Sequence, residues 1–423
     1  MQIIMNYGQT GLKLDLPDDW DITTITKKTM PVIQNPDGAV IDALANPVGC
    51  PSISELSVGK KNACILICDI TRPVPNGIVL PLLVKRLMEA GLEQKNIRIL
   101  IATGLHRPNE EDELKEVIGN QWVFDNILIE NHFAREADDH LDLGYTSLGT
   151  RVRLDRRFVE ADFRIVVGLV EPHFMAGYSG GRKLIMPGIA NEETITYLHN
   201  ARFMGDERAR NGNLDGNPLH EQQLEIVKIL GGAHAINLII DEHRRLAFIN
   251  FGEIIQSHLQ AVEFIRPYVE VELPHRFKTI LTSGGGYPLD KTYYQTVKGM
   301  VSAKDILEPG GDLFIVSEIS EGMGSQDYIE AQKKLVDLGA DRFFKCIKND
   351  SHACVDAWQT QKQLEPMRKG EIFLYTTGLE SQECRLTCVH LVKDLQAELK
   401  KSVSNHKKLA IIPEGPYVMP FVS

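Results

Sequence analysis

Four apolar runs of strand length recur between residues 63 and 240: ACILIC (63–68), IRILIA (97–102), FRIVVGLV (163–170) and AINLII (235–240). None alternates apolar with polar positions, which is the pattern of parallel strands covered on both faces. Between the first two, GIVLPLLVKRLMEAG (77–91) carries helix-spaced apolar residues and stops at a glycine. Residues 63–102 therefore read as a strand–helix–strand unit. A second set follows: KTILTSGGG (278–286), GDLFIVS (311–317), EIFLYTTG (371–378) and KLAIIPEG (408–415). The pattern predicts an α/β fold of two α/β domains with largely parallel sheets, residues 1–270 and 271–400. Residues 401–423 are expected to return to the first domain, and the active site to lie in the inter-domain cleft.

Length agrees, since 423 residues exceed what one core usually supports. The 43% hydrophobic and 24% charged composition is that of an ordinary globular chain. No apolar run reaches the roughly 18–20 residues needed to span a bilayer. The opening MQIIMNYGQT lacks the basic flank and apolar stretch of a signal peptide. A cytoplasmic protein without a membrane partner is expected. The net charge of −11 speaks against nucleic acid as a partner. An anionic substrate must then be met by local cations. The seven cysteines, odd in number and scattered, read as reduced thiols.

The candidate chemistry lies in the loops that follow the strands. ACILIC runs into DITRPVP, with Asp69, Thr71 and Arg72; IRILIA runs into TGLHRP, with His106 and Arg107. FRIVVGLV leads into EPHFMAGYSGGRKLIMPG (171–188), which holds His173 and Lys183. KTILTS leads into GGGYPLDKTYYQTVKG, with Lys291, Tyr294, Gln295 and Lys298. A lone loop histidine is ordinarily a surface residue, and a glycine-rich turn is often just a turn. Two histidines and an arginine at the ends of three strands of one domain are instead the arrangement of an active site.

Two imidazoles can act as a paired acid and base, and an arginine can clamp a carboxylate. Inversion at the carbon beside that carboxylate is then a candidate reaction. An alpha carbon bearing only a hydroxyl is a poor acid, so histidines alone would not suffice. The segment 171–188 is no Walker loop, because Leu184 rather than Ser or Thr follows Lys183. In ANEETITYLHNARFM (190–204), His199 reads either as a packed helical residue or as a metal ligand. No HxxxH or His–Cys cluster accompanies it, so any further ligands must come from elsewhere.

With DITRP (69–73), GLHRP (104–108), the 171–188 segment, TYLHNARFM (196–204) and YYQTVKG (293–299), the chain resembles the nickel-dependent lactate racemase family over nearly its full length. The resemblance implies a nickel pincer nucleotide, a nicotinic-acid-derived mononucleotide carrying sulfur arms and Ni(II). It would be tethered to Lys183 through a thioamide, with His199 as the protein's nickel ligand and Asp69, Ser179 and Gly180 beside it. His106 and His173 would exchange the substrate's hydroxyl proton while the alpha hydrogen moves as hydride. Arg72, Lys298, Tyr294, Gln295 and Trp358 would bind the substrate. The implied partners are a 2-hydroxy acid and the cofactor-synthesis enzymes. Lactate is the type substrate; malate, longer or aromatic hydroxy acids and sugar acids stay open. A non-catalytic cofactor-binding protein would need only Lys183 and His199. A nicotinamide-dependent dehydrogenase would need the GxGxxG fingerprint, which this chain lacks.

Overall fold

The computed structural model describes residues 1–422. Two six-stranded sheets organise the chain. The first runs in the order Leu246–Glu253, His234–Ile240, Phe163–Leu169, Ala63–Cys68, Ile97–Ala102, Leu128–Asn131. All its pairs are parallel except that of Leu246–Glu253 with its neighbour. The second runs His390–Leu391, Gly370–Tyr375, Leu307–Val316, Phe277–Ser283, Lys408–Ile412, Asp21–Thr24, and is parallel throughout. The expected α/β architecture with largely parallel sheets is the one observed.

The absence of alternation has a direct cause. On the strand Ala63–Cys68, Cys64 and Leu66 join one apolar cluster with Phe158, Ile185 and Ile226. Ile65 and Ile67 face the other way, packing with Val79, Leu83 and Leu87 of the helix Asn76–Glu89. Both faces are covered, so both sets are apolar. Fully burying each such side chain contributes about 1.5–3 kcal/mol. Trimming one, as in Leu66→Ala, would cost about 2–5 kcal/mol because the surroundings relax only in part.

The expected partition of the chain needs correction at both ends. Asp21–Thr24 belongs to the second sheet, where it pairs with Lys408–Ile412. Lys408–Ile412 does not return to the first sheet; it pairs on its other side with Phe277–Ser283. Four of its five residues are buried, so this strand needs neighbours on both edges. Only the last stretch approaches the first unit: Met419–Phe421 pairs with Glu270–Glu272, and Met419 packs near Tyr178 and Ile239. Among the described residues no helix is long and apolar enough to cross a membrane. All seven cysteines are free.

In the first sheet, Ala63–Cys68 has Ile97–Ala102 on one side and Phe163–Leu169 on the other. Successive connections depart in opposite directions there, which opens a crevice at the carboxyl ends of the strands. The loops carrying Arg72, His106 and His173 all leave from those ends.

Candidate active site

These loops and two helices of the second unit enclose a cavity of about 160 Å³. It is lined by Asp69, Arg72, His106, His173, Lys183 and His199, and from the second unit by Tyr294, Lys298 and Trp358. Ser179 and Gly180 also reach it. Gln295 does not. On the helix Tyr293–Ala303, residues 294 and 298 are four apart and share a face, whereas 295 lies about 100° away from 294. Gln295 is buried, and its Oε1 has no hydrogen bond among the described residues.

The two histidines are held differently. His106 Nδ1 lies 2.6 Å from Asp69 Oδ2. A carboxylate only accepts, so this nitrogen carries a proton, and in the neutral ring Nε2 keeps a free lone pair. Asp69 is buried and also accepts from the Thr71 backbone N–H at 3.1 Å and hydroxyl at 2.6 Å. Burial opposes its charge, but His106, Thr71 and Arg72 together hold its carboxyl down to about 2.

His173 sits in a tight hairpin formed by Pro172–His173 and Gly177–Tyr178. Its Nδ1 accepts from the backbone N–H groups of Met175 at 3.3 Å and Ala176 at 3.1 Å. The neutral ring therefore carries its proton on Nε2. Burial, then Lys183, Lys298 and Arg72, push its pKa well below the usual imidazole value.

Cations gather beside it. Arg72 Nε pairs with Glu171 at 2.8 Å, and both side chains are largely buried. Burial is the largest influence and works against the guanidinium charge, yet Glu171, Tyr417, Asp69 and Cys68 together outweigh it and raise the Arg72 pKa. This pair bridges the two loops that leave the switch point of the sheet. Lys298 Nζ lies 5.9 Å from the Phe174 ring centroid. Burial, with Arg72 and Lys183 nearby, drives its pKa well below the normal lysine value.

Lys183 sits on the short helix Arg182–Ile185, just after Gly180 and Gly181 at φ +78° and +48°. Those left-handed backbones favour glycine, and a Cβ on Gly180 would meet Val170 Cγ2 at 2.7 Å. The Lys183 amine has no hydrogen-bond partner among the described residues. Burial, then Arg72 and Arg182, bring its pKa down to about 7. Arg182 itself is buried, donating to His220 Nδ1 at 2.9 Å and the Ala176 carbonyl at 3.0 Å, so it braces the whole segment. The Ser179 hydroxyl donates to the Leu169 carbonyl at 2.7 Å and accepts from the Glu171 N–H at 3.0 Å, which closes the loop.

His199 caps the helix Glu192–Leu198 at its C-terminal end. Its Nδ1 donates to the Ile195 carbonyl at 2.8 Å, which leaves Nε2 as a lone-pair donor. Burial lowers its pKa to about 4, so the ring is neutral. The Trp358 ring lies against it, centroids 4.7 Å apart, and Trp358 Nε1 donates to the Tyr294 hydroxyl at 3.1 Å.

Three contributors were not singled out in the sequence. Glu171 opens the 171–188 motif, but its pairing with Arg72 crosses between two loops. Asp356 and Gln359 also line the cavity, and Gln359 Nε2 holds the Tyr294 carbonyl at 2.6 Å. Nothing in DAWQTQ except the tryptophan distinguishes it from an ordinary helix start. At the rim, Arg107 pairs with Glu113 at 2.7 Å and Lys291 with Glu113 at 3.1 Å. Arg107 also meets Glu321 at 3.5 Å, so this pair and that of Lys291 with Glu113 tie the His106 loop to the second unit, where Lys291 and Glu321 pair at 2.5 Å.

Residues 7–212 match the family description lactate racemase N-terminal domain, and residues 275–419 match lactate racemase C-terminal domain. A lactate racemase of Thermoanaerobacterium thermosaccharolyticum is 32% identical over 419 residues, covering 98% of this chain and 97% of the relative. One from Lactiplantibacillus plantarum is 33% identical over 384 residues, 88% of each chain. The solved lactate racemase apoprotein of T. thermosaccharolyticum superposes with a TM-score of 0.89 at 30% identity, covering 99% of this chain and 100% of that one. A Thermotoga maritima structure shares the fold alone, with a TM-score of 0.71 at 17% identity. Fold, cavity and relatives define a two-domain α/β isomerase of the racemase class. The chain belongs to the lactate racemase family.

Proposed function

We propose that this protein inverts the alpha carbon of a 2-hydroxy acid, with lactate, the substrate in its relatives' names, as the reference compound. The reading rests on one observation above all: two histidines of opposite tautomer share a cavity with Arg72 and Lys298.

The residues fit a nickel pincer nucleotide. Lys183 offers an amine without a protein partner, and its lowered pKa suits a covalent tether. His199 offers one lone pair at Nε2. Among the described residues there is no group of three or more His, Cys, Asp or Glu able to hold a metal, so the protein would give nickel one ligand and the nucleotide the rest. When bound, that group would supply a reversible acceptor for the alpha hydrogen as hydride.

The chain's own residues do the remaining work. Arg72, fixed through Nε by Glu171 and through Nη1 by the Thr71 carbonyl at 3.2 Å, keeps Nη2 for the substrate carboxylate. Lys298 stabilises negative charge on the substrate oxygens. His106 removes the hydroxyl proton of one enantiomer through Nε2, with Asp69 behind it to stabilise the imidazolium. His173 serves the other enantiomer. Trp358 and Tyr294 wall the cavity and exclude water. A cytoplasmic location and the cofactor-synthesis enzymes as partners belong to the same proposal.

The test is a chiral assay of protein produced beside the cofactor-synthesis enzymes. One enantiomer of lactate should yield the other, and intact mass should show an added nucleotide that Lys183→Ala lacks. Full activity in unmodified, nickel-free protein would overturn the cofactor assignment. Failure to invert any 2-hydroxy acid would overturn the reaction.

A further inference from the structure

One carboxylate in the cavity wall has no part in the chemistry above. Asp356 lines the cavity and is 9% exposed. It stands before the helix Ala357–Met367 at φ +60°, a left-handed backbone that a non-glycine residue holds at a cost. Ser325 Oγ donates to its Oδ2, and the Tyr294 phenol faces it. Among the described residues no Lys or Arg forms an ion pair with it. Burial raises its pKa. Such a group is expensive to keep dry, and its surroundings offer it hydroxyls rather than a cation.

The two sides of the cavity differ in their charged neighbours. Arg72, Lys183, Glu171 and Asp69 act on Lys298, a mixture of both signs that includes two further cations. His106 and Asp327 act on Asp356, and neither is a lysine or arginine. The His106 ring meets Tyr294 edge-on with centroids 6.5 Å apart. If a 2-hydroxy acid sets its carboxylate on Arg72 and Lys298 and its hydroxyl at His106, the lining left for its remaining substituent includes Trp358, Tyr294 and Asp356. A methyl group there desolvates the carboxylate and returns nothing. A second carboxylate is repelled. A hydroxyl donates to it.

We propose that Asp356 is a specificity-determining residue that selects 2-hydroxy acids bearing a hydroxyl on carbon 3, glycerate and longer polyhydroxy acids, over lactate and malate. This rests on the racemase reading above.

The experiment compares kcat/KM of the nickel-loaded enzyme for glycerate, lactate, malate and gluconate, each followed by chiral separation. Glycerate should exceed lactate by about tenfold or more, the penalty for leaving a buried acceptor unpaired. Asp356→Asn keeps the shape and tolerates the left-handed backbone, but removes the charge. It should bring glycerate and lactate to within about threefold and raise malate turnover. Ser325→Ala removes a competing donor, so it should keep or widen the glycerate preference. A wild type that favours lactate overturns the assignment while the racemase reading stands. So does an Asp356→Asn variant that slows all four acids equally, because that is the signature of a residue that only orients Tyr294. If the wild type inverts none of them, the racemase reading falls and this inference with it.

Discussion

The loop of His106 and the hairpin of His173 put the same side chain into one cavity in opposite states. His106 is 43% exposed at its side chain, has a carboxylate behind Nδ1, and presents a bare Nε2. His173 is ringed by cations, and two backbone N–H groups occupy its Nδ1. His106 is a base as it stands. His173 as it stands is a hydrogen-bond donor, and it must release Met175 and Ala176 before Nε2 can take a proton. Those two contacts are long, so releasing them costs about 0.5–1.5 kcal/mol each. A pair of residues that is symmetric in the reaction scheme is therefore asymmetric in the protein. Since two enantiomers interconvert with an equilibrium constant of one, kcat/KM must be equal in both directions, and the asymmetry has to surface as different kcat and KM values.

The largest test of that contrast removes each ring in turn. His106→Ala and His173→Ala should each lower racemisation by about 10²–10⁴-fold, and unchanged rates in either would remove that residue from the reaction. Asp69→Asn comes next. It should slow turnover by roughly 10²-fold, because an amide holds His106 in the wrong tautomer.

Asp69 also predicts an acid response. Its carboxyl is lowered from 3.8 to about 2, so the stability it contributes is complete above about pH 4. That contribution drains away as pH falls toward 2. Urea midpoints across pH 2–5 should show this loss in the wild type and not in Asp69→Asn.

Lys183 behaves in the opposite sense. Its folded pKa of about 7 lies below the ordinary 10.5, so the buried amine destabilises the cofactor-free fold most fully at pH 7 and below. Lys183→Met should raise the Tm of cofactor-free protein by a few degrees there, a gain that fades as pH climbs toward 10.5. A gain independent of pH would show that packing, not charge, is responsible. The smallest effect belongs to the rim. Glu321→Gln loosens a partly exposed rim pair with Lys291, which Glu113 still holds, and such pairs are worth about 1 kcal/mol, so KM should rise less than about fivefold.

Much of this was legible in the chain. The apolar runs named the central strands because Cys64 and Leu66 on one face, and Ile65 and Ile67 on the other, are all covered. Asp21–Thr24 was silent because DITT at a sheet edge is mostly exposed or half-buried and has no apolar signature. Its partner lies almost 400 residues away, and pairing at that distance leaves no local trace. Within the site, polar loops after strands marked His106, His173, Arg72 and Lys183. The resemblance implies Gln295 beside Tyr294 and Lys298, but it lies on another face of the helix and does not line the cavity. Asp356 was missed because its importance lies in a left-handed backbone and a dry wall, and neither is written in residue type alone.

The interleaving of the chain ends sets an order of events during synthesis. The last strand of the first sheet ends at Glu253, so that sheet can close while the remainder is still being made. The second sheet waits for Lys408–Ile412, which sits between Phe277–Ser283 and Asp21–Thr24. Residues 21–24 leave the ribosome long before residues 408–411, with which they pair. During that interval the nascent chain already carries Lys183, Arg72 and both histidines on a finished scaffold, but lacks the wall of Lys298, Tyr294 and Trp358. On the proposed reading, a cofactor-loading enzyme would have Lys183 within reach before the cavity gains its second half.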